Sequence, residues 1–127
     1  MKEYLELLKK AEDARNYAYV PYSRFRVGAA VLTEKGEIYT GCNIENTSYG
    51  LTICAERTAI FKAVSEGAGK IIAIAISSDD MELTFPCGAC RQVMAEFNGD
   101  MKIILGRSDG NLNVYDLKDL LPYSFKL

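Results

Sequence analysis

The chain has 127 residues and a mass of 14.1 kDa, with 49% apolar and 25% charged side chains. These proportions exclude the disordered, collagen-like and low-complexity classes and allow one core without disulfide staples. Fifteen lysines and arginines against seventeen aspartates and glutamates give a net charge of -2, so no basic excess points to a nucleic-acid backbone or an anionic membrane as partner.

Residues 2–18 read as an amphipathic helix: Tyr4, Leu7, Leu8, Ala11, Ala14 and Ala18 recur at spacings of three and four among Lys, Glu and Asp. Pro21 stops it. Two short apolar runs, Phe25–Leu32 and Ile38–Cys42, flank Thr33-Glu34-Lys35-Gly36 and predict an antiparallel hairpin. A polar loop over 43–51 leads to Thr52, read as the cap of a helix reaching Glu66 and closed by Gly67 and Gly69. Lys70–Ser78 is nearly continuous Ile and Ala, which suits a strand covered on both faces.

After a loop ending at Pro86, a helix is expected from about Cys87 to Phe97, then a turn at Asn98-Gly99-Asp100 and a strand over Met101–Gly106. Asp109-Gly110 turns the chain into a weak strand near Leu112–Tyr115, and Asp116 caps a short helix, Leu117–Leu121, ended by Pro122. The order is α-β-β-α-β-α-β-β-α. Strand–helix–strand crossovers require right-handed connections, so the expected α/β fold is a three-layer α/β/α sandwich around a mixed five-stranded sheet. No linker or repeat divides residues 1–127, which read as one domain. No apolar run reaches the roughly 20 residues of a membrane span. The opening MKEYLELLKK has no signal-peptide stretch, so a cytoplasmic location is expected.

Ligands of such sheets gather at the carboxyl ends of the parallel strands. The segments following the second and third strands contain Asn43, Glu45, Cys54, Glu56, Cys87 and Cys90. With no histidine in the chain, proton transfer near neutral pH falls to a shifted carboxylate, thiol or lysine, or to a metal-bound water. Cys87 and Cys90 form P-C-G-A-C at a predicted helix start. That spacing brings both sulfurs within about 4 Å of one point, where the helix dipole favours thiolates. Cys54 stands near the start of the other crossover helix. Three convergent thiolates suit zinc with one coordination position open, which implies hydrolytic or addition chemistry.

Glu56 follows Cys54 by two residues, about 200° around a regular helix, so both reach one ligand only if it lies off the helix start. There Glu56 serves as an acid/base beside the ion. On its own, a first-turn glutamate would only answer the helix dipole. Three thiolates and one zinc ion sum to -1, so a positive neighbour is needed if a bound water is to ionise near neutral pH. Arg57 is the charge-tuning candidate, with Arg91 a second. Asn43 and Glu45 pair an amide with a carboxylate, a combination that satisfies a sugar hydroxyl as both donor and acceptor; loop capping is the plainer role. Phe25 is either core or a ring that stacks on a base.

T-I-C-A-E-R-T-A-I (52–60) and P-C-G-A-C-R-Q (86–92) resemble the paired zinc motifs of the cytidine deaminases. F-R-V-G-A-A (25–30), N-I-E-N-T-S-Y-G (43–50) and L-L-P-Y-S-F (120–125) extend the likeness over nearly the whole chain. The form resembled is the small homotetrameric one with three cysteines, acting on free nucleosides; nucleic-acid and deoxycytidylate deaminases usually place His where Cys54 stands. The resemblance implies one zinc per subunit on Cys54, Cys87 and Cys90. It implies attack of a zinc-activated water on C4 of cytidine or deoxycytidine, proton transfer by Glu56, and release of ammonia and the uracil nucleoside. It further assigns Asn43 and Glu45 to the ribose 3'-hydroxyl, Phe25 to the pyrimidine face, and the backbone at Ala55 to the base. Phe125 is assigned to the site of a neighbouring subunit. Thr47 departs from the family's usual Ala.

Two other readings compete. P-C-G-A-C also resembles the C-x-x-C of thiol oxidoreductases, and Cys42 could close a four-thiolate structural zinc site. Deaminases of the antibiotic blasticidin S share both zinc motifs but not the N-x-E pair at 43–45.

Overall fold

A computed structural model describes residues 2–80 and 83–127; within the expected loop before Pro86, Met81 and Glu82 lie outside the described residues. Helix α1 (Lys2–Arg15) leads to strands β1 (Val27–Thr33) and β2 (Ile38–Cys42). A single 3-10 turn (Tyr49–Leu51) precedes helix α2 (Ala55–Ser65) and strand β3 (Ile71–Ser78). Helix α3 (Gly88–Phe97), strands β4 (Lys102–Gly106) and β5 (Leu112–Asp116), and the short helix α4 (Leu117–Leu120) complete the chain. The sheet order is β2-β1-β3-β4-β5. Among the described residues, no helix is long and apolar enough to cross a membrane.

The Ile/Ala run of β3 explains the layering. Ile74 and Ile76 face one core, shared with Ala59, Ile60 and Ala63 of α2 and Cys90 and Met94 of α3. Ala73 and Ala75 face the other, against Leu7, Leu8 and Ala11 of α1. Alternate residues of a strand point to opposite faces, so β1 divides in the same way, with Ala29 and Val31 toward α2 and α3 and Ala30 and Leu32 toward α1. The result is the expected α/β/α arrangement around a mixed sheet. Each fully buried Ile or Leu in it contributes about 1.5–3 kcal/mol.

Two glycines set the layer spacing. A Cβ on Gly28 would fall 2.0 Å from the carbonyl oxygen of Ala11, and one on Gly41 would fall 2.5 Å from the amide nitrogen of Ala59. Helix α1 thus lies directly on β1, and α2 directly on β2. At the hairpin, Gly36 takes φ 87° and donates to the carbonyl of Thr33, the left-handed position that glycine fills without steric cost.

Strand direction brings the two important helix starts together. β1 pairs antiparallel with both β2 (Gly28 opposite Cys42) and β3 (Val27 opposite Ser78). β2 and β3 therefore run the same way, and their carboxyl ends emerge at one edge. The segment after β2 leads into α2 and the segment after β3 into α3, so both helices begin at that edge. β3 and β4 form the parallel pair of the sheet.

Several boundaries differ from the sequence expectation. Helix α1 ends at Arg15 rather than at residue 18, because Tyr17 and Ala18 make tight bonds to the carbonyls of Ala14 and Arg15 and Tyr19 turns away to donate to Asn43. β1 starts at Val27 rather than Phe25, since the strand register begins at Val27 and Ser78, and residues 25 and 26 are held by the side chains of Asn43 and Asp79 and by the Asp79 amide. The cap of α2 is Cys54 and not Thr52, whose hydroxyl instead accepts from the amide of Asn46. Asp116 makes no capping bond and pairs with Lys102.

Candidate active site

Cysteine occupies the N-cap of both crossover helices. Cys54 (φ −76°, ψ 154°) precedes α2 and Cys87 (φ −69°, ψ 167°) precedes α3, and neither helix has a side-chain capping hydrogen bond. The amide groups of a first helical turn lack partners within the helix, so each start offers N–H groups and a partial positive charge to an anionic sulfur. Cys90, the third residue of α3, turns inward onto the core. The Cys54 and Cys87 sulfurs are 3.7 Å apart and the Cys87 and Cys90 sulfurs 3.5 Å apart. All three lie within 4.8 Å of one another, and among the described residues they form the one such group of potential metal ligands.

Burial across the trio is graded: Cys90 is buried, Cys54 half-buried and Cys87 exposed. One side of the group therefore opens outward. Three soft donors with no fourth Cys, His, Asp or Glu joining them among the described residues fit a zinc ion that keeps a position free. Cys42 lies outside the group, on β2, in a pocket lined by Lys10, Tyr17, Thr58 and Lys62, and burial pushes its thiol up. A closed four-thiolate site thus has no geometric basis.

The electrostatics order the protons. The thiol of Cys54 is lowered to about 5, chiefly by hydrogen bonding from Cys90, with burial opposing and Arg57 assisting. Cys90 is pushed well above the ordinary thiol range by the adjacent Cys54 and by burial. Of these two, Cys54 is the one that ionises first. The Arg57 Nη2 lies 3.4 Å from the Cys54 sulfur, and its Nε is buried with no hydrogen-bond partner among the described residues. Glu56, the second residue of α2, is only 5% exposed. Burial is the main cause that raises its carboxyl to about 7, and the neighbouring Cys54 charge adds to it. An acid poised near neutral pH is suited to giving and taking a proton in one cycle.

The loop after β2 is stitched to this centre. Ile44 and Ile53 exchange backbone hydrogen bonds of 3.0 Å each, and Tyr19 bonds to Asn43 and Glu45 on the other side. Asn43 and Glu45 are thereby fixed beside the residue preceding Cys54. The Asn43 side chain accepts from the amide of Val27 and donates to the carbonyl of Phe25, each at 2.9 Å. Among the described residues these two bonds leave one N–H and one acceptor lone pair for other partners. Glu45 accepts from the amides of Tyr22 and Ser23 and from the Ser23 hydroxyl, which hold its carboxyl below the usual range. Sequence reasoning missed these Ser23 and Tyr22 contacts, because a bond across 22 or more positions leaves no local signature.

The other candidates differ in exposure. Phe25 is 36% exposed, Ala55 is fully buried as the first residue of α2, and Phe125 is 71% exposed. Arg91 does not reach toward the sulfurs with a hydrogen bond: its Nε donates to the carbonyl of Pro86 and its Nη1 to that of Leu120, both at 2.7 Å. It is a strut between the loop before Cys87 and the end of α4.

Comparison with known proteins extends this picture. Residues 1–107, which span all three thiols, match the family model described as the cytidine and deoxycytidylate deaminase zinc-binding region. The chain is 54% identical over 120 residues to a cytidine deaminase of Halalkalibacterium halodurans, covering 94% of this chain and 91% of the relative. It is 51% identical over 121 residues to a cytidine deaminase of Sporosarcina psychrophila, covering 94% and 89%. Among solved structures, a cytidine deaminase from Burkholderia pseudomallei superposes with a TM-score of 0.89 at 46% identity, covering 94% of this chain and 97% of that one. On likeness over nearly the full length of these proteins, and on a thiol trio that falls inside the matched zinc-binding region, the chain belongs to the cytidine deaminase family.

Proposed function

We propose that this protein hydrolytically deaminates cytidine and deoxycytidine to uridine and deoxyuridine, with one zinc ion held by Cys54, Cys87 and Cys90. The observation that supports this best is the convergence of the three sulfurs within 4.8 Å at two helix starts, beside a buried Glu56. Zinc bound there supplies a Lewis acid that activates water toward C4 of the pyrimidine.

The protein's own groups do the rest. Glu56 accepts a proton from the attacking water and passes it to ring nitrogen N3; it then takes the second proton from the new hydroxyl at C4 and gives it to the amine, which leaves as ammonia as the C4 carbonyl forms. Its burial keeps the carboxyl titrating near neutral pH, so both directions of transfer are accessible. The backbone at Ala55, in the first turn of α2, offers polar groups to the base. Phe25 packs on the pyrimidine ring and excludes water from one face. Asn43, with its remaining N–H and lone pair, and Glu45 receive the ribose 3'-hydroxyl. Arg57 offsets the excess negative charge of three thiolates.

Residues 1–127 act as one catalytic domain, a reading supported by two core clusters that share a single sheet. A cytoplasmic setting is supported by four cysteines that are all free, as expected in a reducing compartment. The working unit is a homotetramer in which Phe125 enters a neighbour's site. The exposed apolar residues Tyr49, Leu51, Tyr123, Phe125 and Leu127 support it; light scattering should return four times 14.1 kDa.

The decisive experiment follows cytidine absorbance with wild type, chelated protein and Glu56→Ala. Chelation should abolish turnover and zinc restore it. Glu56→Ala should keep its zinc and lose turnover by a factor on the order of 10³. Zinc loss in that variant would make Glu56 a ligand and overturn the assignment.

A further inference from the structure

The stretch from Phe25 to Val27 is held in an unusual way. Phe25 and Arg26 precede β1, yet every backbone polar group of residues 25–27 has a partner. The Phe25 amide donates to the Ser23 hydroxyl and its carbonyl accepts from the Asn43 side-chain Nδ2. The Arg26 amide donates to the Asp79 carboxylate at 2.9 Å, and its carbonyl accepts from the Asp79 amide at 3.1 Å. The Val27 amide donates to the Asn43 side chain, and its carbonyl accepts from the Asn43 amide. Immediately upstream, Arg24 is held at φ 56°, a conformation that a residue with a side chain keeps only when its surroundings enforce it.

Between Phe25 and Val27, which the Asn43 side chain holds, Arg26 is held by Asp79. Its carboxylate accepts the backbone N–H of Arg26 and also takes the Arg26 guanidinium in a fork, with contacts of 2.9 to 3.2 Å from Nε and Nη2. The Arg15 Nε stands 3.8 Å from the same carboxylate. Asp79 directly follows β3, whose last residue Ser78 pairs with Val27. The clasp therefore joins the start of β1 to the segment that leads toward Cys87. A planar forked pair fixes direction as well as distance, so residue 26, and with it the neighbouring Phe25, has little freedom to swing.

We propose that Asp79 is a positioning residue for substrate: it acts on nucleoside binding through Phe25, by clamping Arg26 and so fixing the ring that meets the pyrimidine. This rests on the reading of Phe25 as the ring that packs on the base. Asp79 itself touches neither the base nor the thiol centre in that account. Its removal should cost binding and not chemistry, because a ring free to drift packs less well on ground state and transition state alike.

The test measures KM, kcat, zinc content and calorimetric uridine binding in zinc-loaded wild type, Asp79→Ala, Phe25→Leu and the double variant. Asp79→Ala should raise KM and the uridine Kd about fivefold, the equivalent of losing a ring contact of about 1 kcal/mol. Its kcat should stay within about twofold and its zinc content should be unchanged. In the Phe25→Leu background, Asp79→Ala should add less than about twofold, since groups acting through one contact are not additive. Full additivity, or an unchanged KM in Asp79→Ala beside a raised KM in Phe25→Leu, overturns the proposal. An unchanged KM in Phe25→Leu itself overturns the reading of Phe25 on which the proposal stands. Where Asp79→Ala is too unstable to purify, Arg26→Ala in the same two backgrounds decides, because it removes the fork and leaves the Asp79 carboxylate on the backbone.

Discussion

Replacing Gly41 by Ala probes how closely α2 must lie on the sheet for the thiols to meet. A Cβ at this position would sit 2.5 Å from the amide nitrogen of Ala59 and 2.9 Å from both the Ala55 carbonyl oxygen and the Thr58 Cβ. Ordinary contact begins near 3.4 Å, so helix and strand must part by roughly 1 Å, at a cost of about 1–3 kcal/mol. At about 2.1 cal/mol/K per residue, each kcal/mol lowers the melting temperature of a 127-residue chain by about 4 °C, giving an expected fall of about 4–11 °C. Ala55 adjoins Cys54, so the displacement also moves one sulfur away from the other two. Zinc affinity should drop about tenfold, as for other losses of ligand support. Thermal unfolding of chelated protein, with zinc competition against a chromophoric chelator, measures both effects. Gly50→Ala is the control, because its Cβ meets nothing within 4 Å, and it should stay within about 0.5 kcal/mol. A Gly41→Ala protein with wild-type melting and zinc affinity would refute the reasoning.

Three further outcomes follow from the same geometry. Arg91→Ala leaves the carbonyls of Pro86 and Leu120 without their donor and should destabilise the fold by about 1–3 kcal/mol; chemical denaturation unchanged from wild type would show the strut to be idle. The carboxyl of Asp79 is held below its ordinary range, first by the hydrogen bond from Arg26. The stability it confers is therefore complete above the ordinary aspartate range and lost as pH falls through the depressed value. Arg26→Ala should shift acid unfolding, followed by circular dichroism, to higher pH, and an unmoved midpoint would contradict this. Cys42→Ser should retain one zinc per chain and full turnover, since Cys42 stands apart from the trio; metal loss would reinstate a four-thiolate site.

The sequence made the layers legible where burial was two-sided. The Ile/Ala alternation of Lys70–Ser78 and the three-and-four spacing of Leu7, Leu8 and Ala11 reported the two cores directly. The zinc-ligand set was legible because C-x-x-C at one helix start has few uses, and a third cysteine near another helix start narrows them further. What stayed hidden was set by distant partners. Thr52 has the chemistry of a cap, yet the cap went to Cys54, because the exchange of backbone bonds between Ile44 and Ile53 holds the chain extended up to that point. Arg91 reads as a charge beside Cys90, but two carbonyls, one of them 29 positions away, direct it elsewhere. The Arg26–Asp79 clasp spans 53 positions, and no local pattern could announce it.

The central claim is that three sulfurs hold one zinc ion with a position left open for chemistry. Zinc X-ray absorption on the metal-loaded protein tests it most directly. The account predicts three sulfur scatterers and one light-atom scatterer per zinc, with one zinc per chain. Four sulfurs around the metal, or fewer than three, would contradict it.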